Sequence, residues 1–306
     1  MLKPGKDLMR ITRPGHAAAA LAILLAAGSS CASPSGPTGG GGGDPTGQTV
    51  TMLAAGDIGL CGTPAVAQTA QLVSGLEGDL LLAGDIAYFQ GTAENFRDCF
   101  NPFWGQFRSR WHPAPGNHEY ESPGAAPYFA YFGEAAGPAG RGYYTVTAVD
   151  WLILMLNSNV PATRDSPQFE FARAALERQR TPCTMAVWHH PLFSSGPNGN
   201  TPAMRDMWAL LESNRAEIVF SGHDHLYERF ARQMSDGTAD PINGIRQIVA
   251  GTGGAELYNF VRASPNSEAR IMKFGVVRFT LRPAQVDWEF LGADGSVNDS
   301  GLDTCR

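Results

Sequence analysis

Lysine is nearly absent. Only Lys3, Lys6 and Lys273 occur, and none follows the glycine pattern that a Walker-type phosphate loop needs. Charge is sparse too, 17% of 306 residues, with a formal net charge of −6. The acidic balance argues against binding nucleic acid through a basic surface. Few charges and 36 glycines argue against a coiled coil. No Gly-x-Ser-x-Gly occurs, so the nucleophile elbow of many serine hydrolases is missing. His118-Glu119 lacks a second histidine three residues on, which excludes a zincin. No repeat recurs at a fixed period.

The N-terminal apolar run, Ala17 to Ala27, has 11 residues, too few for an ordinary transmembrane helix. Lys3, Lys6, Arg10 and Arg13 precede it, so it reads as an export signal. The segment Ala27-Gly28-Ser29-Ser30-Cys31 resembles a bacterial lipoprotein cleavage box with Cys31 as the lipidated residue, although Gly28 stands where leucine is usual. Ordinary signal-peptide cleavage is the alternative. Ala32 to Gln48 is rich in Ser, Pro, Gly and Thr and cannot repay its ordering entropy by burial. The expected organisation is a signal peptide at 1–30, a lipidated cysteine and flexible linker at 31–48, and one folded domain at 49–306. The expected location is the bacterial cell envelope, lipid-anchored or secreted, with membrane contact only through that anchor. Cleavage before Cys31 removes four basic residues and one acidic residue, taking the charge from −6 to −9.

Cys61, Cys99, Cys183 and Cys305 then remain, an even number suited to an oxidising compartment. Of three possible pairings, Cys61–Cys99 and Cys183–Cys305 is preferred, since it ties two early loops and pins the chain end. Four free thiols is the alternative.

Strands are expected near Thr49–Gly56, Asp79–Ala83, Tyr143–Val149, Trp151–Leu156, Thr184–Trp188, Glu217–Ser221, Gln247–Ala250, Gly275–Leu281 and Gln285–Leu291, with a further apolar piece ending at Pro115-Gly116. Helical spacing marks Pro64–Leu76 and Gln168–Arg178. Strands alternating with helices early and paired strands late predict a two-sheet α/β sandwich.

Several strands stop at a glycine followed by a metal-ligand residue type. The clusters are Gly56-Asp57-Ile58-Gly59, Gly84-Asp85-Ile86-Ala87-Tyr88, Gly116-Asn117-His118-Glu119, Trp188-His189-His190-Pro191 and Gly222-His223-Asp224-His225. Open α/β sheets gather chemistry at the carboxyl ends of strands. Carboxylate, amide oxygen and imidazole suit Zn, Fe and Mn. One Gly-Asp is usually a turn; five such clusters in one chain point to a site.

These clusters resemble the calcineurin-like metallophosphoesterase superfamily, and within it the purple acid phosphatase branch. The branch features are Tyr88 three residues after Asp85, Gly59 where other members carry a ligand histidine, and the run Gly222-His223-Asp224-His225-Leu226-Tyr227-Glu228-Arg229. The resemblance implies an αββα sandwich with a single catalytic domain. It implies that Asp57, Tyr88 and His225 bind one metal, that Asn117, His189 and His223 bind another, and that Asp85 bridges them. A Tyr88 phenolate favours Fe(III), with Zn, Fe or Mn(II) beside it. His118 would be the general acid or a phosphate donor, with Glu119 orienting its ring. His190 would be a neighbour that lines the site or packs beside it, and Arg229 would reach phosphate or form a structural ion pair. Asp224 would point away as a turn residue. Ser194-Ser195-Gly196 would line the substrate mouth or serve as a loop, and Gly251 to Gly254 would form a turn under the metals.

The implied activity is that of an exported binuclear-metal phosphatase cleaving a small phosphorylated monoester by metal-activated hydroxide attack. A phosphodiesterase or nucleotide hydrolase on the same site is the near alternative. A non-catalytic surface binding protein is the distant one.

Overall fold

The structure is a computed structural model that describes residues 48–306. The expected signal peptide, Cys31 and the linker up to residue 47 lie outside the described residues.

The chain opens with three parallel strands, β1 (Val50–Ala55), β2 (Asp79–Ala83) and β3 (Trp111–Ala114). It then builds a second sheet from β4 (Tyr144–Ala148), β5 (Trp151–Met155), β6 (Cys183–Val187), β7 (Ile218–Ser221), β8 (Tyr227–Phe230), β9 (Arg246–Ala250) and β10 (Ser267–Ile271). Finally it returns to the first sheet as β11 (Gly275–Arg282), β12 (Gln285–Gly292) and β13 (Val297–Thr304). The spatial orders are β13-β12-β11-β1-β2-β3 and β10-β8-β9-β7-β6-β5-β4.

Burial explains the strand sequences. Met52 and Ala54 of β1 face the core between the sheets, while Leu53 and Ala55 face an outer core under the helix Ala65–Ser74. Both faces are covered, so β1 is apolar without alternation. In β12, Val286, Trp288 and Phe290 are buried and Gln285, Asp287 and Glu289 alternate with them, as one solvated face requires. The helices Pro167–Arg178 and Arg205–Ser213 contribute to the outer core of the second sheet. Phe96, Phe100, Trp104 and Trp111 pack on the outer face of the first. The result is an α/β, two-sheet sandwich with helices outside.

Two disulfides close it, Cys61–Cys99 and Cys183–Cys305. The first ties the segment after β1 to the helical run at 96–100; the second ties the start of β6 to residue 305.

Register sets the site. Ala55 pairs with Leu82, Ala83 with Ala114, and Val187 with Phe220, so parallel strands within each sheet finish level. The ladder between β1 and β2 continues past the strands through Asp57 N–H to Gly84 O, Ile58 N–H to Asp85 O and Gly59 N–H to Ile86 O.

Candidate metal centre

All five clusters emerge at this edge, and their polar atoms converge. Tyr88 Oη lies 2.8 Å from Asp57 Oδ1, 3.0 Å from His225 Nε2 and 3.3 Å from Asp85 Oδ2. On the other side, His189 Nε2 lies 3.1 Å from Asn117 Oδ1, 3.1 Å from Asp85 Oδ2 and 3.2 Å from His223 Nδ1. Asp85 Oδ2 is therefore shared between two groups of donors. Asp57, Asp85 and His189 are essentially fully buried.

Backbone conformation carries part of this arrangement. Asp57, Asp85 and His223 have φ of 59°, 48° and 72°, in the left-handed region that residues with a Cβ seldom occupy. Such strain persists where surrounding structure enforces it, and it concentrates at functional sites. Glycine makes the close approaches possible. A Cβ at Gly116 would stand 2.1 Å from Asp85 Oδ1. At Gly59 it would stand 2.5 Å from Ile86 O, so this backbone has no room for a side chain there, and the Tyr88 phenol faces Asp57 instead.

The tautomers of the buried histidines test whether these residues fit a cation. His189 Nδ1 faces Ala83 O at 2.7 Å and must donate to it. In a neutral ring, Nε2 is then a lone pair aimed at Asn117 Oδ1 and Asp85 Oδ2, both acceptors, and at His223 Nδ1. His225 repeats the pattern: Nδ1 donates to Glu256 O at 2.7 Å, leaving Nε2 to face Asp57 Oδ1 at 3.2 Å. A cation resolves both conflicts. In the metal-free protein a proton does so: burial alone would lower His189, but Asp85 and Asp57 hold it up to about 9. Burial and the neighbouring His189 push His223 down to about 3 and His190 down to about 2. Burial opposes the ionisation of Asp57, yet His225 and His189 keep its carboxyl well below the usual range. Burial, Asp57 and Asp85 hold the Tyr88 phenol far above its ordinary value. Carboxylate, phenol, amide oxygen and imidazole together fit hard and borderline metal ions, and the two clusters suit a binuclear centre.

His118 lies above this centre, about one quarter exposed, with Nε2 3.8 Å from Asp85 Oδ2. Its Nδ1 is hydrogen-bonded to Phe89 O, which turns Nε2 toward the metal side. Glu119 does not orient that ring. Its carboxylate accepts backbone N–H groups of Gly116 (2.7 Å), Ile86 (2.8 Å), Asp85 (2.9 Å) and Ala87 (3.2 Å), and so locks the two ligand-bearing turns together. It is too deeply committed to the backbone to reach an imidazole.

Of the two roles expected of Arg229, phosphate contact or structural ion pair, the ion pair is the one observed. Its guanidinium pairs with Asp299 at 2.7 Å and with Glu268, making it a structural cation on β8. Asp224 points away from the ligands and accepts from Asn198 N–H, Gly199 N–H and Ser194 Oγ. Ser194 and Ser195 are buried and bound to Asp224 and Glu228 instead of lining a mouth. Gly253 N–H and Ala255 N–H donate to Gly56 O and Asp57 O, so the 251–254 turn does underlie the first cluster.

Sequence reasoning missed two neighbours. Tyr258 stacks on His225 with ring centroids 4.0 Å apart, and Ser158 Oγ meets His190 Nδ1 at 2.7 Å. Neither stands in a recognisable motif.

The profile of the calcineurin-like phosphoesterases matches residues 50–227. Purple acid phosphatase 18 of Arabidopsis thaliana is 30% identical over 224 residues, covering 67% of this chain and 50% of that protein. Purple acid phosphatase 21 of the same plant is 28% identical over 267 residues, covering 78% and 58%. The chain thus spans little more than half the length of these relatives. Among solved structures, the purple acid phosphatase of yellow lupin (Lupinus luteus) seeds superposes with a TM-score of 0.73 at 20% identity, over 84% of this chain and 54% of that one. PhoD gives 0.57 at 13% identity, over 84% and 68%. Within the described residues no helix is long and apolar enough to cross a membrane. With its strand-end clusters and this match over more than half its length, the chain belongs to the calcineurin-like phosphoesterase family and is related to the purple acid phosphatases.

Proposed function

We propose that this chain is a phosphatase that hydrolyses small phosphate monoesters at a binuclear metal centre. The observation that carries the proposal is the position of Asp85 Oδ2, 3.1 Å from His189 Nε2 on one side and 3.3 Å from Tyr88 Oη on the other. A carboxylate so placed would neutralise two cations at once. Asp57, Tyr88 and His225 would hold one metal, and Asn117, His189 and His223 the other. Fe(III) beside Zn, Fe or Mn(II) is the proposed pair. When bound, the metals supply Lewis acidity, polarising the phosphoryl oxygens and lowering the pKa of water.

The protein's own groups do the rest. Nδ1–H of His118 donates to Phe89 O, so Nε2 faces the centre, and in the imidazolium form that nitrogen is placed to hydrogen-bond a phosphoryl oxygen or to protonate the departing alkoxide. Glu119 keeps the Asp85 and Asn117 turns in register through its four backbone hydrogen bonds. Ala83 O and Glu256 O fix the two buried imidazoles in the ligating tautomer.

Residues 1–30 are proposed to direct export, Cys31 to carry a lipid, 31–48 to act as a tether and 49–306 to form the catalytic domain. A phosphodiesterase acting at the same centre is the second reading. A panel of monoesters, diesters and nucleotides, assayed against pH with metals quantified, separates the two. Turnover confined to monoesters supports the first, and faster diester cleavage replaces it.

A further inference from the structure

One further imidazole, outside the seven proposed ligands, stands beside the second donor group. A ring nitrogen of His190 lies within 4.8 Å of ring nitrogens of both His189 and His223. The ring centroids are 4.9 Å from His189 and 4.4 Å from His223. Neither separation results from loose packing. Trp188 Nε1 donates to His190 O at 2.9 Å, and Gly222 N–H donates to His189 O, fixing the backbone on both sides. Pro191 follows and restricts residue 190 to extended conformations.

Ser158 decides what the ring presents. Its Oγ accepts the His190 backbone N–H at 3.0 Å and meets the ring Nδ1 at 2.7 Å. If Nδ1–H donates to this oxygen, Nε2 is a lone pair and the ring is a metal ligand. If Ser158 donates instead, Nε2 carries the hydrogen and the ring is a donor to phosphate. Metal-ligating histidines usually give their other N–H to an oxygen, which is the first arrangement.

We propose that His190, oriented by Ser158, is an additional imidazole ligand in the group formed by Asn117, His189 and His223. This deepens the reading under Proposed function and rests on it. Three imidazoles shift the second position away from Mg and toward Zn, Co or Fe(II), because imidazole suits the latter ions.

The test uses the purified protein stripped of metal and titrated with Zn(II) against a chromophoric chelator, with Co(II) absorption as a second readout. His190→Ala and the bulkier His190→Gln are expected to weaken the affected Zn(II) equivalent about tenfold or more. The other equivalent should be unchanged, and the Co(II) spectrum should change. Ser158→Ala should move the same equivalent in the same direction by less. Unchanged Zn(II) affinity with a raised KM would make His190 a phosphate donor and overturn the proposal. A native protein that takes up no Zn(II) or Co(II) would overturn the binuclear reading as well. Thermal unfolding of the metal-free variants reports whether the chain has folded, and either variant alone suffices for the comparison.

Discussion

Asp85 Oδ2 stands 3.1 Å from His189 Nε2, both groups wholly buried, at the junction of turns that follow β2 and β6. A strand end from each sheet thus meets in one contact. The relationship makes metal binding and sheet packing interdependent, because neither turn can shift without separating the donors.

Tyr88→Phe tests the ferric assignment. The variant keeps the ring and loses only the oxygen that lies 2.8 Å from Asp57 and 3.0 Å from His225. The native protein loaded with iron should show a visible charge-transfer band, and the variant should lack it while retaining its fold. A colourless, fully active, all-zinc native protein contradicts the Fe(III) assignment.

His118→Gln tests proton donation. The side chain touches Phe89 O but is not among the proposed ligands, so metal content should stay the same. The rate constant kcat should fall by about 10²–10⁴ for alkyl phosphates and by much less for nitrophenyl phosphate, whose leaving group needs no proton. Equal losses on both substrates would remove the general-acid role and leave phosphate binding.

Glu217 supplies a pH dependence remote from the metals. It is fully buried, accepts from Thr184 N–H at 2.8 Å and Arg306 N–H at 3.2 Å, and burial raises it from 4.5 to about 7. Its folded pKa exceeds its unfolded one, so its contribution is complete below pH 4.5 and is lost as pH rises through 7. Glu217→Gln cannot ionise. The difference in unfolding free energy between native protein and variant should change by up to about 3 kcal/mol across that window, and a flat difference contradicts the raised pKa. Taking the difference between the two proteins cancels the contribution of the metal-site groups.

The clustering of Asp57, Asp85, Tyr88, Asn117, His189, His223 and His225 was legible because each belongs to a motif at a strand end. Parallel strands that finish level bring such positions together whatever lies between them. Strands with two buried faces, such as β1, were legible from apolar composition. The polar edge strands β10 and β13 were not, since Ser267–Ile271 and Val297–Thr304 owe their pairing to neighbours and not to an apolar pattern. Glu119 was misread, and the partners of Arg229 could not be named, for one common reason. Sequence adjacency placed them beside functional residues, whereas Glu119 accepts, besides Gly116 N–H, backbone N–H groups more than 30 positions away, and Arg229 pairs with the distant Asp299 and Glu268. Ser158 and Tyr258 give no sequence signal, because a single hydroxyl or ring acquires its role only when the chain folds against it.

The most direct test of the binuclear reading is metal stoichiometry in the native protein and in Asp85→Asn, measured by elemental analysis beside activity. The expected result is two metals per chain in the native protein, at most one in the variant, and activity reduced about a hundredfold or more. A native protein fully active with fewer than two metals, or an Asp85→Asn variant that keeps two metals and full activity, would contradict it.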